Sequence, residues 1–203
     1  MSKLVVGIVD YDSGNYASIA QSVRAMGFRV IVSSLVKQLD DTDLLILPGV
    51  GSFSSAMQSL NKLGLAEFLK DRFKAGSPIL GICVGMQLLA SSSDEFGFSR
   101  GLGLIPGKVV AFDDSSSHIG WNKIKPIETF RNIISVDSYV YFNHSYYFSG
   151  PPEFNQCLTE FNSEHFASVV SRDNLVGLQF HPEKSQQTGL ILFKKLIVDM
   201  CNA

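Results

Sequence analysis

Short, unbroken runs of β-branched and other apolar residues alternate with longer amphipathic stretches through the first half of the chain. Residues 4–9 read as a strand buried on both faces, and 18–26 carry helical spacing closed by Gly27. Residues 28–33 form a second predicted strand, and 43–47 a third that Pro48-Gly49 cuts off. Helical spacing returns over 52–62 and 65–74, and Gly76-Ser77-Pro78 breaks it. A strand over 79–82 and a helix over 86–91 follow. Strands that are apolar throughout, each followed by a helix, predict a mostly parallel sheet covered on both faces.

The second half changes character. Gly and Pro recur, and strands over 108–112, 139–143, 166–171 and 176–180 come without long helices between them. They read as an antiparallel extension of the sheet, closed by a helix over 188–200. The chain shows no repeat, linker or low-complexity tract, so residues 1–203 are expected to form one α/β domain.

Composition narrows the class further. Hydrophobic residues make up 45% and charged residues 18%, enough to build a core and too apolar for disorder. A net charge of -2 leaves no basic stripe for nucleic acid. The apolar run after Met1-Ser2-Lys3 is too short to span a bilayer and lacks a small-residue cleavage site. Three widely spaced cysteines form no disulfide framework, so a reduced, cytoplasmic protein is expected.

In open α/β sheets, chemistry sits beyond the carboxyl ends of the strands. Four segments should therefore meet at one edge: residues 10–15, residues 48–51, Cys83, and His181-Pro182-Glu183. Gly81-Ile82-Cys83-Val84-Gly85 joins a strand to a helix, as a nucleophile elbow does, with Cys in place of Ser. The flanking glycines suit a sharp turn in which a side chain would collide with neighbouring backbone. The following helix brings its positive end toward the sulfur. Cys157 and Cys201 have no such surroundings and read as packed small hydrophobes.

A thiol nucleophile needs a base. His165 sits in a polar stretch and reads as a surface residue, while His118 and His144 read as either structural or substrate-adjacent. His181 ends an apolar strand, and Glu183 can reach back to its ring. A carboxylate on one ring nitrogen leaves the other to take the thiol proton; the alternative is a hydrogen-bonded strand-end histidine without a catalytic part. The amides of Val50, Gly51 and Val84 are the candidate oxyanion donors. A phosphate loop is the competing reading of 48–51, but no Gly-Lys-Ser/Thr follows. Cysteine and histidine spacing suits no metal, and neither metal nor cofactor is expected.

Six stretches carry a resemblance. They are residues 10–15 (Asp10-Tyr11-Asp12-Ser13-Gly14-Asn15), 47–53, 81–89, 118–122 (His118-Ile119-Gly120-Trp121-Asn122), 144–146 (His144-Ser145-Tyr146) and 179–185. Together they resemble the class I (triad) glutamine amidotransferases over nearly the whole chain. Within that class they are most similar to the glutaminase subunits of imidazole glycerol phosphate synthase.

The resemblance implies a Cys83–His181–Glu183 triad that attacks the side-chain amide of L-glutamine, releases ammonia and passes through a glutamyl thioester. It implies that Gly51, Gln87, Glu95, Ser145 and Tyr146 hold glutamine, and that the Val50 amide reorients when the partner is loaded. Asn15, Trp121 and Lys184 match positions at a partner interface. The implied partner is a (β/α)8-barrel cyclase, paired as a heterodimer. It would receive the ammonia and make imidazole glycerol phosphate and an aminoimidazole carboxamide ribotide in histidine biosynthesis.

Departures from the family pattern bear on the partner and leave the triad intact. Asp12 stands where Gly is common, Ile119 where Met is usual and Leu178 where Thr is usual. Residues 113–117 lack the usual basic-Pro lead into the histidine motif. The alternative partner is an enzyme that amidates surface sugars, served by paralogues of these glutaminases. Two other classes compete: a cysteine peptidase or chaperone-like hydrolase on the same kind of elbow, and an inactive regulatory module. Glu183 two residues beyond His181, and Gln87 on the elbow helix, favour the amidotransferase over the first. The intact triad set opposes the second.

Overall fold

A computed structural model of the protein describes residues 4–12, 15–134 and 138–202. Ser13 and Gly14 of the first motif lie outside the described residues. The first half alternates as its pattern predicts: β1 (Val5–Val9), α1 (Tyr16–Ala25), β2 (Arg29–Ser33), α2 (Val36–Leu39), β3 (Leu44–Leu47), α3 (Phe53–Lys62), α4 (Leu65–Lys74), β4 (Ile79–Ile82) and α5 (Val84–Leu88). The strands β5 (Ala90–Ser93), β6 (Ser99–Arg100), β7 (Ile105–Ala111), β8 (His118–Pro126) and β9 (Ser138–His144) come next. They are followed by β10 (Tyr146–Ser149), β11 (Asn155–Phe161), β12 (Glu164–Arg172), β13 (Leu175–Leu178) and the closing helix α6 (Gln186–Asn202).

A nine-stranded sheet runs in the order β2-β1-β3-β4-β13-β12-β11-β8-β9. Strands β2, β1, β3, β4 and β13 are mutually parallel, and every pairing from β13 onward to β9 is antiparallel. The expected mixed α/β sheet flanked by helices is present, and its antiparallel half is as extensive as its parallel half. Every residue of β3, β4 and β13 is buried, as strands covered on both faces require. A second, four-stranded sheet, β10-β7-β5-β6, stands beside the first.

The strand expected over 108–112 is β7, which pairs with β10 and β5 in this second sheet rather than extending the first, and the strand expected over 176–180 is β13, which runs parallel to β4 and antiparallel only to β12. One helix also differs from its prediction. The helix expected over 86–91 stops at Leu88, and Ala90–Ser93 is strand β5. The apolar spacing is compatible with a helix, but the carbonyls of Leu88, Leu89 and Ala90 accept from the amides of Leu102, Leu104 and Gly103, all at 2.9 Å. A segment well beyond the helix in sequence thus takes the acceptors that helix continuation would use.

Because β1, β3, β4 and β13 are neighbours, their carboxyl ends deliver four loops to one edge. Tyr11, after β1, donates its hydroxyl hydrogen to the Pro48 carbonyl, after β3, at 2.6 Å. That contact fixes two of the loops against each other.

Candidate active site

The turn after β4 places Cys83 at φ 55° and ψ -114°, a positive-φ backbone that a non-glycine residue adopts at a cost. Its amide donates to the Leu178 carbonyl at 2.7 Å, anchoring the turn to β13. The glycines around it are dictated by space. A Cβ on Gly85 would overlap the Leu47 carbonyl oxygen, and one on Gly81 would stand 2.7 Å from the Gly85 carbonyl oxygen. A Cβ on Gly49 would stand 2.7 Å from the Gly85 nitrogen. The elbow therefore packs backbone on backbone, and Cys83 is exposed by only 3%. The helix behind it is short, ending at Leu88.

His181 follows β13 and is nearly buried, and its amide donates to the Tyr141 carbonyl at 2.9 Å. Nδ1 stands 2.9 Å from Glu183 Oε1, so Nε2 is the nitrogen left for Cys83, whose Sγ lies 3.9 Å from the Asn143 carbonyl oxygen. Burial works against the imidazolium, but hydrogen bonds with Cys83 and Glu183 override it and raise the His181 pKa to about 10. Glu183 is desolvated, which favours its neutral form. Its hydrogen bond and charge attraction with His181 win, and its pKa lies below the ordinary carboxylate value.

Glu183 Oε1 also accepts from Asn15 Nδ2 at 2.8 Å. Asn15 is held in turn by Ser18, whose hydroxyl donates to Asn15 Oδ1 at 2.6 Å. Asn15, expected at a partner surface, is half-buried and shares Glu183 Oε1 with the His181 ring. Sequence reasoning did not find this contact; the left-handed backbone at Asn15, φ 76°, is not legible from residue type alone.

In front of Cys83 lies a cavity of about 300 Å³. Its walls bring together Val50, Gly51 and Val84 with Gln87, Glu95, Ser145 and Tyr146, and Cys83 and His181 border it. Asn143 and Phe96, not singled out from the sequence, complete the lining together with His144, which the sequence left as structural or substrate-adjacent. Glu183 is absent from this wall because it stands behind His181. Gly51, at φ 88°, takes a left-handed conformation that suits glycine.

Glu95 is 9% exposed, and its Oε2 accepts from the Phe53 amide at 2.5 Å. Burial raises its pKa, and the Phe53 hydrogen bond only partly opposes the rise. Gln87 Nε2 donates to the Tyr146 carbonyl at 2.7 Å and to Gln179 Oε1 at 3.2 Å. The Ser145 hydroxyl lies 2.7 Å from that of Ser117.

Trp121 is 47% exposed on β8, opposite Tyr141 of β9, and Ile119 and Tyr139 are exposed on the same two strands. Lys184 is exposed on the 3-10 turn after His181. His165 is exposed, as expected, whereas His118 and His144 are buried against each other. All three cysteines are free, no metal-binding cluster occurs among the described residues, and no described helix is long and apolar enough to cross a membrane.

Comparison with known proteins agrees with this geometry. The family model for glutamine amidotransferase class-I matches residues 7–198. The chain is 41% identical over 195 residues to imidazole glycerol phosphate synthase subunit HisH of Carboxydothermus hydrogenoformans, covering 93% of this chain and 96% of that protein. The protein of the same name from Sulfurimonas denitrificans is 42% identical over 195 residues, covering 92% and 94%. Among solved structures, PurLQS from Thermotoga maritima superposes with a TM-score of 0.77 at 19% identity, covering 98% of this chain and 99% of that one. A glutamine amidotransferase from Thermotoga maritima gives 0.72 at 16% identity, covering 100% of both chains. At those identities the two structures speak for the fold alone.

Proposed function

The chain belongs to the class-I glutamine amidotransferases, in the family of imidazole glycerol phosphate synthase subunit HisH, and from that premise we propose that this pocket hydrolyses L-glutamine to glutamate and ammonia. The observation that carries the reading is the cavity itself. One wall holds Cys83 and His181, and the remainder presents the polar groups a free amino acid requires.

In this mechanism the Cys83 proton already rests on His181 Nε2, and the thiolate Sγ attacks the amide carbon of the glutamine side chain. Glu183, on Nδ1, fixes the ring and stabilises the imidazolium. The raised His181 pKa keeps this proton on the ring until the leaving nitrogen takes it. The oxyanion is met by amides of Val50, Gly51 and Val84, each on the pocket wall. His181 returns the proton to the departing nitrogen, ammonia leaves, and a glutamyl thioester remains. Water then attacks the thioester carbon, giving its proton to His181. Cleavage of the C–S bond frees glutamate and restores the thiol.

Glu95 and Gln87 face the α-ammonium end, and the Ser145-Tyr146 segment faces the carboxylate. The exposed Trp121 and Lys184, with Asn15 nearby, form the face toward a (β/α)8-barrel cyclase that takes up the ammonia. The names of the relatives favour histidine biosynthesis over sugar amidation. A working thiol and free cysteines suit the cytoplasm. The test is Cys83→Ala in the full chain with its synthase partner. Ammonia release from glutamine should vanish while circular dichroism and partner binding persist, and undiminished release would overturn the assignment.

A further inference from the structure

Two buried histidines take no part in the chemistry above. His118 on β8 lies between the rings of Phe142 and Phe161, with centroids 4.5 and 4.3 Å away and interplanar angles of 26° and 29°. Its Nδ1 stands 3.1 Å from His144 Nε2. The proton positions in this pair follow from its two ends.

At one end, Asn122 is fixed in orientation. Its Nδ2 donates to the Glu160 carbonyl at 2.9 Å, and its Oδ1 accepts from the Lys123 amide at 2.7 Å. The second Nδ2 hydrogen therefore points to His118 Nε2, at 3.1 Å, which must be an acceptor. At the other end, His144 Nδ1 lies 2.9 Å from the Tyr146 carbonyl, which can only accept. His144 thus carries its proton on Nδ1 and accepts at Nε2, and His118 donates to it from Nδ1. Both ends demand the same direction. A second proton on either ring would set two donors face to face. Burial accordingly draws His118 down to about 4, and burial together with the neighbouring His118 draws His144 down to about 3.

The chain of donors does not stop at the carbonyl. Tyr146 O also accepts from Gln87 Nε2 at 2.7 Å, and Gln179 Oε1 takes the other amide hydrogen at 3.2 Å. With both hydrogens committed, Oε1 is the Gln87 atom left for the pocket. Beside Glu95, it makes that end of the cavity a pair of acceptors matched to a primary ammonium.

We propose that His118 and His144 are positioning residues which, through the Tyr146 carbonyl, hold Gln87 with its oxygen toward the pocket and so set recognition of the substrate's α-ammonium group. This rests on the reading of the pocket as a glutamine site. The relay begins at Asn122, next to the exposed Trp121, so it also ties the outer strand β8 to the substrate wall.

The test compares glutamine with glutaramate, which keeps the scissile amide and carboxylate but lacks the ammonium. Ammonia release is followed in the full chain with its synthase partner, as wild type, His144→Phe and His144→Gln. His144→Phe should raise KM for glutamine about tenfold or more, with kcat nearly unchanged, and should shrink the preference for glutamine over glutaramate. The Gln variant, which can still donate and accept, should recover part of that preference. Equal losses on both substrates, or an unchanged KM, would overturn the proposal. In wild type, ¹⁵N spectra at neutral pH should show both rings neutral with the proton on Nδ1. An Nε2–H tautomer or a cationic ring would sink the relay whatever the variants do. A wild-type chain that releases no ammonia from glutamine even with that partner would instead remove the underlying glutaminase reading, leaving the ring states to decide the relay.

Discussion

Acidification from about pH 7 to about pH 4.5 perturbs the buried histidine pair without touching the covalent structure, and its effect on stability can be worked out. In the unfolded chain both rings titrate near 6.5; in the fold His118 is held at about 4 and His144 at about 3, both primarily by burial. These values are depressed, so between pH 6.5 and about 4 the unfolded chain binds roughly two more protons than the folded one. Stability is therefore complete above 6.5 and falls with falling pH, by about 3 kcal/mol per pH unit near pH 5. Down to about pH 4.5 the loss approaches 5 kcal/mol, set against a typical total of roughly 5–15 kcal/mol. His181 adds nothing in this window. Its folded value, about 10 through its bonds with Cys83 and Glu183 against the opposing effect of burial, leaves it protonated in both states below 6.5. Glu95, raised by burial, offsets part of the loss at the acid end. Urea unfolding followed by circular dichroism across this range should show the slope, and a His118→Gln/His144→Gln variant should lose most of it. A wild-type midpoint that stays flat down to about pH 4.5 would refute the reasoning, as would a double variant with the same slope.

Glu183→Gln keeps an oxygen for His181 Nδ1 and Asn15, so the ring's orientation survives, but the new amide nitrogen falls where Oε2 is buried with no partner. Stability should drop by about 1–3 kcal/mol. The rate constant kcat should drop by about 10- to 1,000-fold, because the imidazolium loses its counter-charge. Urea titration and ammonia release check the two effects separately, and a fully active variant would contradict the triad. Gly85→Ala drives a methyl group into the Leu47 carbonyl, backbone against backbone, and should cost about 3 kcal/mol or more. A melting temperature equal to wild type would show that the elbow has slack the packing does not reveal.

The parts of this protein that were readable in its sequence are those decided within a few residues. The strand 44–47 is four apolar residues ended by proline, and the elbow announces itself because Gly81 and Gly85 flank Cys83. Glu183 reaches His181 across two residues, so that pair too was legible. Where distant backbone competes for acceptors, local pattern loses. Residues 90 and 91 look helical until the amides of Gly103 and Gly101 take their carbonyls, and β8, β10 and β11 are strands because of partners rather than composition. The pocket residues Gln87, Glu95, Ser145 and Tyr146 came from family resemblance, since nothing local distinguishes them from ordinary polar positions.

The same division explains why the site is more than its triad. Asn15 and Glu183 stand 168 positions apart, and Gln87 and Tyr146 are separated by 59, yet each pair is joined by a hydrogen bond of 2.8 or 2.7 Å. Such contacts exist only because β1, β3, β4 and β13 lie side by side and β9 folds back to bring residues 143–146 over the elbow. A thiol, an imidazole and a carboxylate suffice for acyl transfer, but they do not choose glutamine. That choice depends on whether Gln87 presents an oxygen or a nitrogen, which its neighbours decide and its sequence position does not. With Gln87 meeting the α-ammonium group as proposed, the substrate is read by the tertiary hydrogen-bond network, and substitutions at His118, Asn122 or Gln179 should alter selectivity before they alter chemistry.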